Sequence, residues 1–178
     1  MVGAKFLRLL KKGRALSTVD VLTAFDFIPD TKKLELYPPF FLMGVKVIRV
    51  AEDFRHLTVR LPLRWYGRNH HSTMFGGFMA AVADPLPALL CAKLFPHCDV
   101  WTKRMSITFL RPGRTDLEVR MDITPEQIDA IQQELDGNGS ATPQFEFFYW
   151  DQKNRRVARI KNIVAMKKRS EKKKPQAP

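Results

Sequence analysis

The segment from Ser72 to Pro85 contains the residues of this chain whose types and spacing could do chemistry. It reads STMFGGFMAAVADP and holds one carboxylate, Asp84, seven and eight residues after the pair Gly76-Gly77. The first N–H groups of a helix have no partner inside the helix and carry partial positive charge. Glycines at a helix start let a carbonyl oxygen approach those groups without side-chain obstruction. The segment therefore predicts an anion-stabilising helix start with an acid about two turns further along the same face.

Each of these residues also has a purely structural explanation, which the sequence leaves open. Asp84-Pro85 is a good helix start, with Asp as the N-cap and Pro at the first position. Two short helices broken at 83–84 would then satisfy the carboxylate without any catalysis. The two glycines could equally serve close packing of a helix on a sheet.

Other candidate sites are weaker. His70 and His71 are adjacent, so their side chains point apart, and no third ligand has a suitable spacing for a metal. Ser72 lacks the GxSxG setting of a nucleophile elbow. GxGxxG and GxxxxGK, the common nucleotide signatures, do not occur. We therefore expect no metal site and no bound cofactor.

Alternating and helical patterns predict the elements that position the opening segment. Residues 1–37 form a predicted N-terminal amphipathic helical extension that Pro38-Pro39 ends. Strands are predicted around 45–47 and 57–63, then one long buried helix over 74–93. A hairpin around RPGR joins 105–109 to 117–123, a helix covers 125–136 with Gly137 as its stop, and two strands cover 144–151 and 156–167. This order predicts an α+β fold, an antiparallel sheet wrapped around a long central helix.

Charge is concentrated at the ends of the 178-residue chain, whose formal net charge is +12. Residues 1–19 hold five basic groups and no acid, and KKRSEKKK covers residues 167–174. We interpret residues 168–178 as a basic disordered tail and expect at most weak membrane-surface contact through the basic ends. A body without a predicted basic surface indicates no specific nucleic-acid partner.

Cysteine usage and hydropathy indicate the compartment. Cys91 and Cys98 have no CxxC spacing, which favours a reducing, cytoplasmic location. No uninterrupted apolar run reaches the length of a membrane-spanning helix.

The chain resembles hotdog-fold acyl-CoA thioesterases over roughly residues 40–167, in particular the phenylacetyl-CoA thioesterase-like branch. In that branch an Asn precedes His-Gly-Gly, and Leu-Ala-Asp follows on the same helix. Here Asn69 precedes Phe75-Gly76-Gly77, and Val82-Ala83-Asp84 follows at a similar spacing. The stretches Ile107–Pro112 and Asp116-Leu117 also resemble the family's next strand pair. Two departures stand out: Phe75 replaces the family's His, and Pro85 and Pro87 lie inside the expected helix.

The resemblance implies a hotdog domain over 38–167, with the helix 125–136 inserted, and a homodimer or dimer of dimers with its site at the subunit interface. Gly76 and Gly77 would then form the oxyanion hole, and Asp84 of the other subunit would be general base or nucleophile. Asn69 would orient water or the thioester carbonyl. The acyl chain would be lined by Met74, Phe75, Phe78 and Met79. Coenzyme A is part of the substrate, and its phosphates would be bound by Arg111 and Arg114.

Three functional hypotheses follow. The first is a thioesterase that hydrolyses an apolar acyl-CoA. The second is a hotdog protein that binds an acyl group or fatty acid without hydrolysing it, which Phe75 and the proline-bent helix favour. The third is a surface-associated protein whose basic ends dock on an anionic membrane. A hotdog hydratase is a further alternative, although it needs a His partner that the sequence does not place.

Overall fold

The computed structural model describes residues 30–169. The predicted basic amphipathic helix up to residue 29 and the tail from residue 170 lie outside the described residues. The helices are α1 (Asp30–Leu36), α2 (Pro38–Met43), α3 (Gly76–Ala83), α4 (Pro85–Leu94) and α5 (Pro125–Asn138), with a 3-10 turn at Trp65–Gly67. The strands are β1 (Lys46–Val50), β2 (His56–Leu61), β3 (Cys98–Phe109), β4 (Leu117–Asp122), β5 (Ser140–Ala141), β6 (Gln144–Trp150) and β7 (Arg156–Lys168).

Antiparallel pairing joins six of these strands in the order β1-β2-β4-β6-β7-β3, and β5 pairs with β7. The predicted β3–β4 hairpin is wrong, because β6 and β7 lie between those two strands. Alternation identified both strands, but it contains no information on which strand is the neighbour. As a result β3 lies at an edge of the sheet with β7 as its only strand partner among the described residues.

The central helix packs on the inner face of the sheet and is divided by a single residue. Instead of one helix over 74–93, α3 ends at Ala83, Asp84 forms a turn, and α4 begins at Pro85. Pro85 and Pro87 lack the N–H groups that a continuous helix would use at this point. Asp84 keeps right-handed helical angles, φ −54° and ψ −54°, so α4 continues in roughly the same direction as α3.

The core lies between this helix and the sheet. Inward-facing residues alternate along β6, where Phe145, Phe147 and Tyr149 are buried and their neighbours face outward. The hydroxyl of Tyr149 donates to the Met79 carbonyl at 2.8 Å and so fixes the middle of α3 over the sheet. The predicted sheet wrapped around a central helix is confirmed.

Sequence signals located the start of α5 better than its end. Thr124 and Gln127 form a reciprocal capping box at its start, as predicted. The predicted stop at Gly137 is wrong, because the helix continues to Asn138. Gly139 is the residue that takes the left-handed conformation, with φ +67°.

Two short N-terminal helices pack beside β1. Glu35 in α1 is 9% exposed and accepts a hydrogen bond from the Val47 backbone N–H at 3.0 Å. Phe40 and Met43 of α2 are buried in the core. The proposed domain boundary after residue 37 stays a prediction, although Pro38 begins a new helix rather than an extended linker.

One described segment, Gly76–Leu94, is long and apolar enough to cross a membrane by length and composition alone. Core helices of soluble proteins pass the same test. Here Asp84 interrupts the segment, and the buried side chains of the two helices pack on the sheet.

Candidate active site

The helix start predicted at the glycine pair is present, because α3 begins at Gly76. The N-cap residue Phe75 provides no side-chain acceptor. Within residues 30–169 no hydrogen-bond acceptor is found for the N–H groups of Gly76 or Gly77. Two donors with helix-dipole character are therefore available to a ligand.

Two backbone hydrogen bonds hold the chain immediately before this helix. The Met74 N–H donates to the Gly113 carbonyl at 2.8 Å, and the Phe75 N–H donates to the Gly67 carbonyl at 2.9 Å. The entry to α3 is thus tied to the loop after β3 and to the 3-10 turn, which fixes the direction of the helix N-terminus.

Phenylalanine rings lie against both glycines. A Cβ atom at Gly76 would lie 2.8 Å from Cζ of Phe109, and one at Gly77 would clash with the Phe75 ring. Packing on the sheet therefore accounts for Gly76, because Phe109 ends β3, whereas Gly77 is covered by Phe75, which precedes its own helix. This packing does not exclude a binding role, because both rings are about half exposed and could move from the helix start.

A cleft of about 380 Å³ opens at this helix start. It brings together five of the predicted site residues with the loop that follows β3. Its lining consists of Asn69, Thr73, Met74, Gly76, Met79, Phe109, Leu110, Arg111, Pro112 and Gly113.

Asn69 belongs to the cleft and also organises the loop in front of α3. Its side-chain oxygen accepts hydrogen bonds from the N–H groups of His71 at 3.0 Å and Thr73 at 3.2 Å. Its Nδ2 donates to the Thr73 hydroxyl at 3.0 Å, which leaves one N–H without an acceptor among the described residues. The predicted orienting role has one available donor.

The hydrogen bonding of the Asp84 carboxylate distinguishes its structural explanation, a helix N-cap, from its catalytic one. Its carboxylate makes no helix-capping hydrogen bond, so the structural explanation as an N-cap does not hold. No partner for the half-buried carboxylate occurs among residues 30–169. Its backbone is bound: the N–H donates to the Ala80 carbonyl at 3.0 Å, and the carbonyl accepts from the Thr102 hydroxyl at 2.9 Å and from Asn162 Nδ2 at 3.2 Å.

These two hydrogen bonds place the helix junction beside β3, at the sheet edge. Asn162 is fully buried, and its Oδ1 is the only buried side-chain polar atom without a partner in the described part of the chain. Asp84 does not line the cleft of Gly76, in agreement with the predicted helix rise of about 12 Å between them.

The remaining predicted contacts divide between the cleft and its rim. Met74 and Met79 are buried at the cleft, and Arg111 is exposed there. Phe75, Phe78, Gly77 and Arg114 do not line it. The rings of Phe75 and Phe78 contact each other edge to face, 5.8 Å apart, next to the helix start.

Sequence reasoning missed the contribution of the chain after β3. Phe109, Leu110, Pro112 and Gly113 form one wall of the cleft. The Pro-Gly turn was visible in the sequence, but the wrong hairpin assignment hid its proximity to α3.

The expectation that His70 and His71 point apart is wrong, because their ring centroids are 3.8 Å apart in the loop before α3. Neither these rings nor the two thiols form a metal site or an activated nucleophile. Among residues 30–169 no group of three His, Cys, Asp or Glu side chains is placed to hold a metal ion. Cys91 and Cys98 are buried free thiols, and burial raises the pKa of Cys91 to about 12. A thiol with so high a pKa is a poor nucleophile at neutral pH.

Known structures share this architecture. A Pseudomonas aeruginosa protein of unknown function, named "Probable Thioesterase", is 18% identical, with TM-score 0.68 over 80% of this chain and 99% of that one. The Escherichia coli PaaI protein from the phenylacetic acid degradation operon is 17% identical, with TM-score 0.58 over 78% and 89% of the two chains. A Haemophilus influenzae thioesterase is 11% identical, with TM-score 0.60 over 87% and 93%.

At these identities the likeness shows the fold alone, and it confirms the predicted hotdog fold. No curated protein sequence gives a significant match. Residues 32–164 match the family described as "Domain of unknown function (DUF4442)", which is most of the chain. The chain is therefore a hotdog-fold member of the DUF4442 family.

Proposed function

We propose that the protein is a thioesterase that hydrolyses an apolar acyl-CoA at a site shared by two subunits. The observation that carries the proposal is the start of α3, where the N–H groups of Gly76 and Gly77 have no acceptor among the described residues beside an open cleft. Hydrolysis of a thioester passes through a tetrahedral oxyanion, and one well-placed N–H donor contributes about 3 kcal/mol to its stabilisation.

The second component is Asp84, which needs a second subunit to reach the oxyanion donors. Strand β3 runs along the free sheet edge from Thr102, hydrogen-bonded at the Asp84 carbonyl, to Phe109, whose ring covers Gly76. A two-fold axis near residues 105–106 would place Thr102 of one strand opposite Phe109 of the other. Antiparallel pairing of two β3 edges in that register brings Asp84 of one copy toward Gly76 of its partner.

In this arrangement Asp84 acts as general base. It takes a proton from a water molecule while the water oxygen bonds to the thioester carbonyl carbon. The negative charge on the carbonyl oxygen is held by the N–H groups of Gly76 and Gly77. Collapse of the intermediate breaks the C–S bond, and the departing coenzyme A sulfur receives the proton from Asp84, which leaves a fatty acid and a thiol. As nucleophile, Asp84 would instead form a mixed anhydride with the acyl group as the C–S bond breaks and the coenzyme A thiolate leaves, and water would then hydrolyse the anhydride to the fatty acid and restore the carboxylate.

The cleft supports an apolar acyl group and an anionic carrier. Met74 and Met79 offer adaptable apolar walls, and the side chains of Phe75 and Phe78 extend that surface. Arg111 at the cleft, and Arg114 beside it, are exposed without acidic partners among the described residues and suit the coenzyme A phosphates.

Thiol release from a panel of acyl-CoAs tests the proposal. We expect turnover by the wild-type protein and a loss of at least about 100-fold in kcat for Asp84→Asn, which keeps the side-chain shape but cannot take the proton. Asp129→Asn on the exposed face of α5 is the matched control and should leave kcat unchanged. Full activity of folded Asp84→Asn would remove Asp84 from the mechanism.

A second function, acyl binding without hydrolysis, is favoured by one observation. Phe75 occupies the position at which the resembling enzymes have a histidine, and its ring lies against Gly77. This function predicts a co-purified fatty acid or acyl-CoA in mass spectrometry together with no thiol release from any substrate. Turnover by the wild-type protein would exclude it.

A further inference from the structure

Four exposed aromatic and apolar side chains lie at the end of α2 and in the adjacent 3-10 turn. Phe41 is 64% exposed, Leu42 is 70% exposed and Trp65 is 83% exposed. We call this surface, formed by Phe41, Leu42, Trp65 and Tyr66, the aromatic tip. Side chains of this size are seldom so exposed, and several together indicate an interaction surface.

Arg64 connects the two parts of the aromatic tip. Its guanidinium packs on Gly44, where a Cβ atom would be 2.7 Å from Nε, and Gly44 ends the helix that carries Phe41 and Leu42. Trp65 follows Arg64 directly in the chain. The end of α2 and the 3-10 turn are therefore neighbours, with a cation between their exposed apolar side chains.

The charges around the aromatic tip favour an anionic partner. Arg64 and Arg68 are exposed, and neither has an acidic partner among the described residues. Trp and Tyr with Arg around exposed apolar side chains match the boundary between lipid headgroups and acyl chains.

A continuous series of ring contacts leads from the aromatic tip to the candidate active site. The ring centroids of Trp65 and Tyr66 are 5.4 Å apart, those of Tyr66 and Phe78 are 6.5 Å apart, and Phe78 contacts Phe75. The Phe75 ring lies against Gly77 at the start of α3. An apolar surface thus extends from Trp65 to the N–H donors of Gly76 and Gly77.

We propose that the aromatic tip docks on an anionic membrane surface, with Phe41, Leu42 and Trp65 inserted among the lipids and Arg64 at the headgroups. This docking site is distinct from the basic ends, whose membrane contact stays a prediction. It also stands apart from the proposed thioesterase activity, since docking is measured without any substrate.

Vesicle co-sedimentation of the full-length protein tests the proposal. We expect binding to phosphatidylcholine vesicles that contain phosphatidylserine, and weaker binding to phosphatidylcholine alone. The triple variant Phe41→Ser, Leu42→Ser, Trp65→Ser should bind anionic vesicles about tenfold or more weakly, because partly inserted side chains lose apolar burial of about 25 cal/mol per Å². Ile48→Ser, in β1 and 45% exposed, is the control and should bind as the wild type does.

Four outcomes would overturn the proposal. The wild type binding neither kind of vesicle would refute docking, and wild-type affinity in the triple variant would assign the binding to the basic ends. A fall of several degrees in the melting temperature of the triple variant would show that these side chains are covered within the folded chain. A loss of oligomer mass in the triple variant would identify the surface as an interface between copies.

Discussion

At the residue scale, Gly76 connects packing with the proposed chemistry. Its N–H has no acceptor among the described residues, and a methyl group at its α-carbon would meet the tip of the exposed Phe109 ring. Because that ring can turn toward solvent, the methyl group would disturb the approach to the N–H donors more than it disturbs the fold.

We therefore expect Gly76→Ala to lower kcat on the order of 100-fold, because its methyl group obstructs the approach to the N–H donor about as much as the loss of one oxyanion donor would. Its melting temperature should stay within a few degrees of wild type, because alanine also improves helix propensity by about 1 kcal/mol. Thiol release and thermal denaturation measure the two quantities.

Gly137→Ala is the matched control, since a Cβ atom there meets nothing within 4 Å inside α5. It should retain full kcat. Equal activity of Gly76→Ala and the wild type would show that the glycine serves packing only.

The types of the site residues were predictable, but their surroundings were not. The glycine pair at a helix start and the lone acid followed from residue types and spacing. The rings against the glycines could not be predicted, because Phe109 reaches Gly76 only through sheet pairing. The sequence allowed Asp84 to cap its own helix, and only the coordinates show the carboxylate without that hydrogen bond.

At the element scale, Glu35 attaches α1 to the edge strand β1. Its carboxylate is 9% exposed and accepts from the Val47 backbone N–H and from the ammonium groups of Lys32 and Lys46. Burial alone would raise the pKa of Glu35, but these hydrogen bonds outweigh it and hold the pKa below its usual value.

A lowered pKa in the folded state means that the ionised form stabilises the fold at neutral pH and that this contribution is lost on acidification. Glu35→Gln should lower the free energy of unfolding by about 2 kcal/mol at neutral pH, the value of hydrogen bonds to a charged group. The difference between wild type and variant should shrink as the pH falls below about 4.5, where Glu35 of the unfolded chain becomes protonated, and should vanish once the folded carboxyl, with its lower pKa, is protonated as well. Urea unfolding across this pH range measures it, and a pH-independent difference would contradict the assignment.

Most elements were predictable from local patterns, because alternation and capping signals act over short distances. Strand pairing was not, since it joins distant parts of the chain: β4 pairs with β2 and β6 rather than with β3. The short strand β5 has two residues and too little pattern to be recognised.

At the scale of the whole molecule, the outer side of the edge strand β3 has no strand partner within residues 30–169. An exposed edge strand with Trp101, Phe109 and Leu110 about half exposed is a template for pairing with another chain. Pairing two such edges would form a continuous sheet and would bring Asp84 of one copy toward the helix start of the other.

We expect light scattering to give an even multiple of the 20.6 kDa chain mass, and hydrogen exchange to show protection along β3. A monomer at assay concentration with rapidly exchanging β3 amides would refute the shared site. The cytoplasmic location and the role of the basic ends stay predictions.

The central claim is that Asp84 of one subunit serves the helix start of its partner. Mixing two inactive variants tests it most directly: Asp84→Asn and Gly76→Ala, refolded together so that subunits combine at random. Half of the dimers then contain one chain of each kind, and each mixed dimer has one site with both residues intact. Each mixed dimer then has half of the wild-type activity, so the account predicts that the whole mixture recovers about a quarter of the activity of the same amount of wild-type protein. No recovery above the separate variants, although mixed dimers form, would contradict it.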